Sequence, residues 1–263
     1  MPLGIQVSAL GDQGRQALFR VELLGPVRVM YAGNEVGLGP GRQRAVFAVL
    51  AMRAGQTVSR AELVEAVWGR AAPASADGSV YTYVSGLRRA LGELGRDLIV
   101  SAGNGYSLRV DPRLLDATLF EELCDQASVM AAKGDHRGVA AALGDALVLW
   151  RGEAFAGVPG PFAEQERTRL EQAWLRAVET FAAARLELGA HVEVAAELET
   201  LIREHPLRES LRELLMIALS RSGRHAEALA VFADARATLS RELGTEPGAA
   251  LRQVHAQVLA GTA

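Results

Sequence analysis

One cysteine, one lysine and few aromatic side chains set the limits on this 263-residue chain. A lone Cys124 excludes an intrachain disulfide and any cysteine-built zinc site. Lys133 stands beside 27 arginines. A P-loop needs a Gly-Lys-Ser/Thr triplet, and the chain has none. Schiff-base chemistry would rest on Lys133 alone, in a polar Ala-Lys-Gly-Asp turn. The arginine bias fits a GC-rich genome. No apolar run reaches membrane-spanning length, because charges or glycines interrupt each one. Met1 to Ala17 carries only Arg15 as a cation and lacks the basic start and apolar middle of a secretory signal. There is no Gly-x-Ser-x-Gly elbow, no His-Glu-x-x-His and no Gly-x-Gly-x-x-Gly opening a βαβ unit. The paired carboxylates Glu121-Glu122 and Glu164/Glu166 read as solvated helix faces. The expectation is a cytoplasmic protein that is no enzyme and needs neither cofactor nor metal.

What is present suffices for a packed core: 49% hydrophobic and 22% charged residues. The length suits one large domain or two ordinary ones. Charge divides the chain. Residues 1–111 hold 12 Arg and 9 Asp+Glu, a net +3. Residues 112–263 hold 16 Lys+Arg and 22 Asp+Glu, a net −6. The first part tolerates a polyanion and the second repels one.

Texture changes at the same place. Phe19 to Leu23 alternates, Gly25-Pro26 turns, Val27 to Val29 alternates, and Ala32-Gly33-Asn34 makes a tight turn. Arg42 to Arg53 has helical spacing, with Ala45, Val46, Val49 and Leu50 near one face. Ser59 opens a second helix with Glu62 as its capping box, and Gly69 closes it. A third helix covers about Asp77 to Leu91, with Val80, Val84, Leu87 and Leu91 as its apolar line. Leu98-Ile99-Val100 and Tyr106 to Val110 flank Ala102-Gly103-Asn104-Gly105, a hairpin signal. Strands, three helices and a hairpin compose a winged helix-turn-helix.

The third helix carries groups suited to a DNA reader. Ser79, Thr82, Tyr83, Ser85, Arg88 and Arg89 lie off its apolar line, where hydroxyls and guanidinium groups can meet base edges and phosphates. Bland readings sit beside these. Arg88-Arg89 also fits a solvated helix end favoured by the dipole. Tyr81 and Tyr83 read as partly buried. Arg42 and Arg44 begin a helix, where the dipole does not favour cations, so a phosphate role suits them. Trp68 reads as core, with an indole N–H that could meet a phosphate from the rim. Gly86, costly inside a helix, fits either chance or close approach of a backbone.

These residues resemble a known family. Gly41-Arg42-Gln43-Arg44-Ala45-Val46, Val58 to Leu63, Val67-Trp68-Gly69, Val80 to Leu91 and Gly105-Tyr106 are similar to the OmpR/PhoB-type winged helix. The version is that of the Streptomyces antibiotic regulatory protein (SARP) family. Asp116 to Phe120, Ala146 to Gly152, His205 to Glu209 and Gly223 to Leu229 are similar to that family's bacterial transcriptional activation domain. The match covers about residues 18–260. It implies an activator of secondary-metabolite genes that binds promoter direct repeats as side-by-side protomers and engages RNA polymerase. It also implies that the third helix is the recognition helix and that Arg60 and Trp68 contact the DNA backbone. Related wings often carry an arginine before the Gly-Tyr turn, for minor-groove insertion; Ser101-Ala102-Gly103-Asn104 has none, which counts against minor-groove readout by this wing. Tyr81 stands where relatives resemble Gln, which implies a different base preference.

From Asp116 the pattern is almost continuous helix. Gly189 and Gly223 lie 34 residues apart, and the same offset pairs His191 with His225 and Glu193 with Glu227. That is the tetratricopeptide period. Gly134-Asp135-His136 resembles a further turn of this kind. The three histidines read as solvent-facing helix starts. Cys124 reads as core. The breaker-rich stretch Arg151 to Phe162 reads as a packed connector, or as a contact surface for a protomer or polymerase.

The expected fold is mainly α: an N-terminal extension (1–17), a winged helix (18–111) and an all-α tetratricopeptide-like domain (112–263). The expected DNA-binding set is Arg42, Arg44, Arg60, Trp68, Ser79, Thr82, Tyr83, Ser85, Arg88, Arg89 and Asn104. Expected partners are promoter DNA with direct repeats, RNA polymerase and a second protomer, at the nucleoid. The rival readings are a helical-repeat interaction scaffold and a ligand-sensing regulator.

Overall fold

Alternating buried and exposed side chains open the described part of the chain as a small antiparallel sheet. The computed structural model describes residues 19–262; the expected extension, residues 1–17, lies outside them. Strands β1 (Phe19–Glu22), β2 (Arg28–Tyr31) and β3 (Asn34–Val36) pair in that order. Phe19 and Val21 point into the core and Arg20 points out. Ala32 and Gly33 turn β2 into β3 with φ of 49° and 80°. Two left-handed residues are what a two-residue hairpin turn needs to follow the strand twist.

Three helices follow: α1 (Gly41–Met52), α2 (Arg60–Trp68) and α3 (Ala76–Ala90). The capping box expected for α2 is complete. The Ser59 hydroxyl accepts from the Glu62 N–H at 3.2 Å, and the Glu62 carboxylate accepts from the Ser59 N–H at 2.9 Å. Two orphan amides are satisfied reciprocally. α4 (Gly95–Leu98) leads into a second sheet of β4 (Val58–Ser59), β5 (Ile99–Ala102) and β6 (Gly105–Leu108), in the order β4-β6-β5. β5 and β6 form the wing around Gly103-Asn104, with Ala102 opposite Gly105. A Cβ at Gly105 would lie 2.0 Å from the Val58 carbonyl oxygen, so β4 reaches β6 only because that residue is glycine.

Contacts divide the described chain into two units. One holds residues 19–123 and 145–174; the other holds residues 124–144 and 175 onward. Helices α5 (Asp116–Ala131), α6 (His136–Val148) and α7 (Pro161–Glu187) each have residues in both.

In the first unit, the stretch after α6 is a packed connector. Three of its amides donate to the end of β1 and the following turn: Arg151 to the Leu24 carbonyl (2.8 Å), Phe155 to Leu23 (2.9 Å) and Ala156 to Gly25 (3.1 Å). Phe155 is fully buried. Arg167 holds the loop from the other side, donating to the carbonyls of Ala154, Phe155 and Val158 at 3.1–3.3 Å. The loop then passes α2 so closely that a Cβ at Gly160 would lie 2.6 Å from the Val67 oxygen.

Asp116 closes the arrangement. Its carboxylate accepts from the Leu23 and Leu24 amides at 2.8 and 3.1 Å and pairs with Arg151, which also pairs with Glu22 at 3.2 Å. Burial pushes the Asp116 carboxyl above its ordinary value, and Arg151 with the two amides pulls back only in part.

The second unit is helical: the end of α5, the start of α6 and the end of α7, then α8 (His191–Glu204), α9 (Glu209–Arg221), α10 (His225–Leu243) and α11 (Ala249–Ala260). Val194, Leu198, Leu211, Leu215, Leu219 and Leu251 form its apolar centre. The repeat is visible in backbone detail. Gly189 and Gly223 have φ of 89° and 76°. Ala190 and Arg224 follow with ψ of 50° each. Ala190 N–H bonds to Arg185 O at 3.0 Å, and Arg224 N–H to Leu219 O at 2.8 Å. Gly134 has φ of 72°, and the amide after it bonds to Met130 O at 3.1 Å, so the same helix-end turn occurs a third time.

The histidines after these turns differ. His136 and His225 are exposed, as expected. His191 is half-buried, and its Nδ1 is buried without a partner. His225 Nδ1 lies 3.1 Å from the Ser220 hydroxyl, whereas the position 34 residues before Ser220 is Leu186. Cys124 is half-buried rather than core, because its side of α5 is only partly covered. Among the described residues no helix is long and apolar enough to cross a membrane.

Candidate nucleic-acid interface

Helix α3 is held by the line the sequence marks. Val80, Val84 and Leu87 are fully buried and Leu91 nearly so. Asp77 in the first turn suits the positive helix end and pairs with Arg60 at 3.5 Å. Gly86 has a physical reason, though it is a side chain and not a backbone that approaches. A Cβ there would lie 2.4 Å from Gln43 Oε1, and Gln43 is fixed by donating from Nε2 to the Leu38 carbonyl at 2.8 Å. A side chain at position 86 would push the Gln43 amide off its bond to Leu38.

The candidate residues separate into engaged and free groups. The Ser79 hydroxyl donates to Ser75 O at 3.0 Å and the Thr82 hydroxyl to Gly78 O at 3.1 Å. Their protons are committed to their own helix, while their lone pairs can still accept. Tyr83 stacks on Trp68 with ring centroids 6.1 Å apart and planes 15° from parallel. The Arg42 guanidinium lies over the same indole, 5.7 Å from its centroid. Trp68 is only 9% exposed, and its Nε1 is buried without a partner. The stack carries a cation and an aromatic ring to the surface beside α3 and keeps the indole N–H inside.

Arg44 donates to the carbonyls of Gly39 (2.9 Å) and Gly157 (3.0 Å), which ties α1 to the connector. Arg88 turns to the wing. It donates from Nε to Ile99 O at 2.8 Å and from Nη2 to the Ser101 hydroxyl at 3.1 Å, and lies 5.7 Å from the Tyr106 ring centroid. In this structure it pins the wing to α3. Arg60 and Asp77 are an exposed pair, worth under about 1 kcal/mol, so a phosphate could displace the aspartate at small cost. Arg89 and Asn104 are exposed. Ser85 is half-buried.

Tyr81 departs from expectation. It is 64% exposed rather than partly buried. The two tyrosines flank the buried line on opposite sides; Trp68 stacks on Tyr83 on one flank, and Tyr81 on the other stays exposed. Arg70, exposed in the turn after α2, is a further surface cation near this unit's helices that the motif reading did not select.

A buried-line helix beside a β-wing, followed by stacked helix pairs, defines a winged helix-turn-helix regulator with a helical repeat domain. Comparison with known proteins agrees. Residues 33–108 match the family described as "Transcriptional regulatory protein, C terminal". Residues 115–259 match "Bacterial transcriptional activator domain". The Regulatory protein AfsR of Streptomyces griseus is 43% identical over 91% of this chain and 24% of its own length. The Regulatory protein DnrI of Streptomyces peucetius is 35% identical, over 91% of this chain and 92% of its own. Among solved structures, Mycobacterium tuberculosis EmbR in complex with a low-affinity phosphopeptide superposes with a TM-score of 0.88 at 31% identity, over 94% of this chain and 66% of that one. The chain belongs to the SARP family of transcriptional regulators. It spans about a quarter of the length of its AfsR relatives.

Proposed function

We propose that this chain is a sequence-specific DNA-binding activator, with a reading head in residues 18–111 and a helical activation domain in residues 112–263. The observation that carries the reading is α3, buried along Val80, Val84 and Leu87, open on its other faces and braced against a wing. Such a helix fits the major groove, with its neighbouring cations on phosphates. The candidate set remains Arg42, Arg60, Ser79, Thr82, Tyr83, Ser85, Arg89 and Asn104 in direct roles, with Trp68, Arg44 and Arg88 holding them in place. A single winged helix buries limited surface, so two protomers on a direct repeat supply affinity that one cannot. The helical domain, net negative, suits contact with the neighbouring protomer and RNA polymerase rather than with DNA. The genes served are those of a secondary-metabolite cluster, as with the family implied by the sequence.

The test is a salt titration of DNA binding together with transcription in a reconstituted system. Binding should weaken linearly in log–log form as salt rises, and the chain should raise transcription from a bound promoter. Salt-independent retention, or binding without activation, would contradict the reading and favour an interaction scaffold.

A further inference from the structure

Three classes of group lie on the exposed side of α3, and their hydrogen bonds decide which of them are free to move onto a base. Ser79 and Thr82 have spent their protons on carbonyls four residues back. Tyr83 is stacked on Trp68 and Arg88 is held by the wing. Tyr81, Ser85 and Arg89 hold no hydrogen bond or ion pair among the described residues. They are spaced four apart and so are neighbours along one side of the helix. Tyr81 leads this row in the second turn of α3, the N-terminal part that meets base edges when such a helix enters a major groove. It is the large apolar side chain on a surface that is otherwise Gly78, Thr82, Ser85 and Arg89, and it is 64% exposed.

We infer that Tyr81 is a specificity-determining residue whose ring packs on the C5-methyl group of a thymine in each half-site; this rests on the DNA-binding reading above. The ring supplies an apolar surface with few rotatable bonds. The thymine methyl is the apolar group that the major groove presents. Arg89, two turns further along, reaches the phosphates and fixes the register in which the ring meets its base.

Replacing dT by dU one position at a time removes single methyl groups from a duplex selected by the wild-type chain. A single dU in one half-site should weaken wild-type binding by roughly fourfold, the worth of one buried methyl. Tyr81→Ala, which removes the contact from both protomers, should bind the unmodified duplex roughly fifteenfold more weakly and be indifferent to that dU. Tyr81→Phe should keep the dU sensitivity, since the ring and not the hydroxyl makes the contact. The side chain is exposed, so both variants should melt with the wild type. Equal dU sensitivity in wild type and Tyr81→Ala, or an unchanged selected sequence, would overturn the assignment. A wild-type chain that selects no sequence at all would instead overturn the DNA-binding reading beneath it.

Discussion

Arg88→Ala is expected to loosen the wing before it alters base reading. The guanidinium gives one charge-assisted bond to the carbonyl of the buried Ile99 at 2.8 Å and a second to the exposed Ser101 hydroxyl at 3.1 Å. It also lies 5.7 Å from the Tyr106 centroid. A hydrogen bond to a charged group contributes about 1.5–3 kcal/mol net, and an exposed cation–π contact about 0.5–1 kcal/mol. The Ser101 bond is exposed and the contacts are not additive, so a loss of about 2 kcal/mol follows. For a protein of this size that lowers the melting temperature by roughly 4–8 °C. Arg88→Lys should recover only part of it, because an ammonium lacks the fork that spans Ile99 and Ser101. The assay is thermal unfolding followed by circular dichroism, with the selected DNA sequence determined for each variant below its melting point. The expected result is lower stability, weaker binding and an unchanged base preference. Unchanged melting with an altered base preference would refute the reasoning and make Arg88 a direct reader.

Asp116→Ala should destabilise the first unit by about 2–4 kcal/mol in urea unfolding, since it leaves the Leu23 and Leu24 amides without their acceptor, while Arg151 keeps Glu22; a cost under about 1 kcal/mol would show that the latch is not formed. A fragment ending at residue 111 should lose the latch and Phe155 together, so point variants test activation better than truncation does. Gly86→Ala gains about 1 kcal/mol of helix propensity but displaces the Gln43 amide from Leu38, so its net effect should lie within about 1 kcal/mol of zero, and Gln43→Ala should turn it stabilising; strict additivity in that double-mutant cycle would deny the contact. The Glu187 carboxyl is held below its ordinary value, first by the hydrogen bond from Arg221 at 2.9 Å. Its contribution is therefore present above the unfolded value and is lost as pH falls through the folded one. The pair is largely exposed, so Glu187→Gln should cost under about 1 kcal/mol at pH 7 and nothing in acid below the carboxylate range; an equal cost at both would argue against the pairing.

Local signals carried far in this chain. Ser59 and Glu62 announce their capping box three residues apart, and Val80, Val84 and Leu87 announce the buried side of α3 by spacing alone. The 34-residue offset of Gly189 and Gly223 foretells two turns with matching hydrogen bonds. What stayed hidden depends on partners distant in sequence. Phe155 and Arg151 bond to residues near 24, about 130 positions earlier, and no local pattern records that. Tyr81 and Tyr83 flank the buried line on opposite sides at similar angles from it, and the stacking of Trp68 on Tyr83 separates them. Arginines are ambiguous for the same reason: Arg88 and Arg89 are adjacent, yet one meets a carbonyl of the wing and the other meets solvent. A motif identifies the helix; the neighbours decide which of its side chains remain free to act.

The central claim, that α3 reads a repeated DNA site, is tested most directly by comparing affinities at one physiological salt concentration. The duplexes should be a direct repeat, its single half-site and a scrambled sequence, each bound to the full chain. The account predicts a repeat preferred over scrambled DNA by on the order of a thousandfold or more, with the half-site well below the repeat. Equal affinity for all three would contradict it.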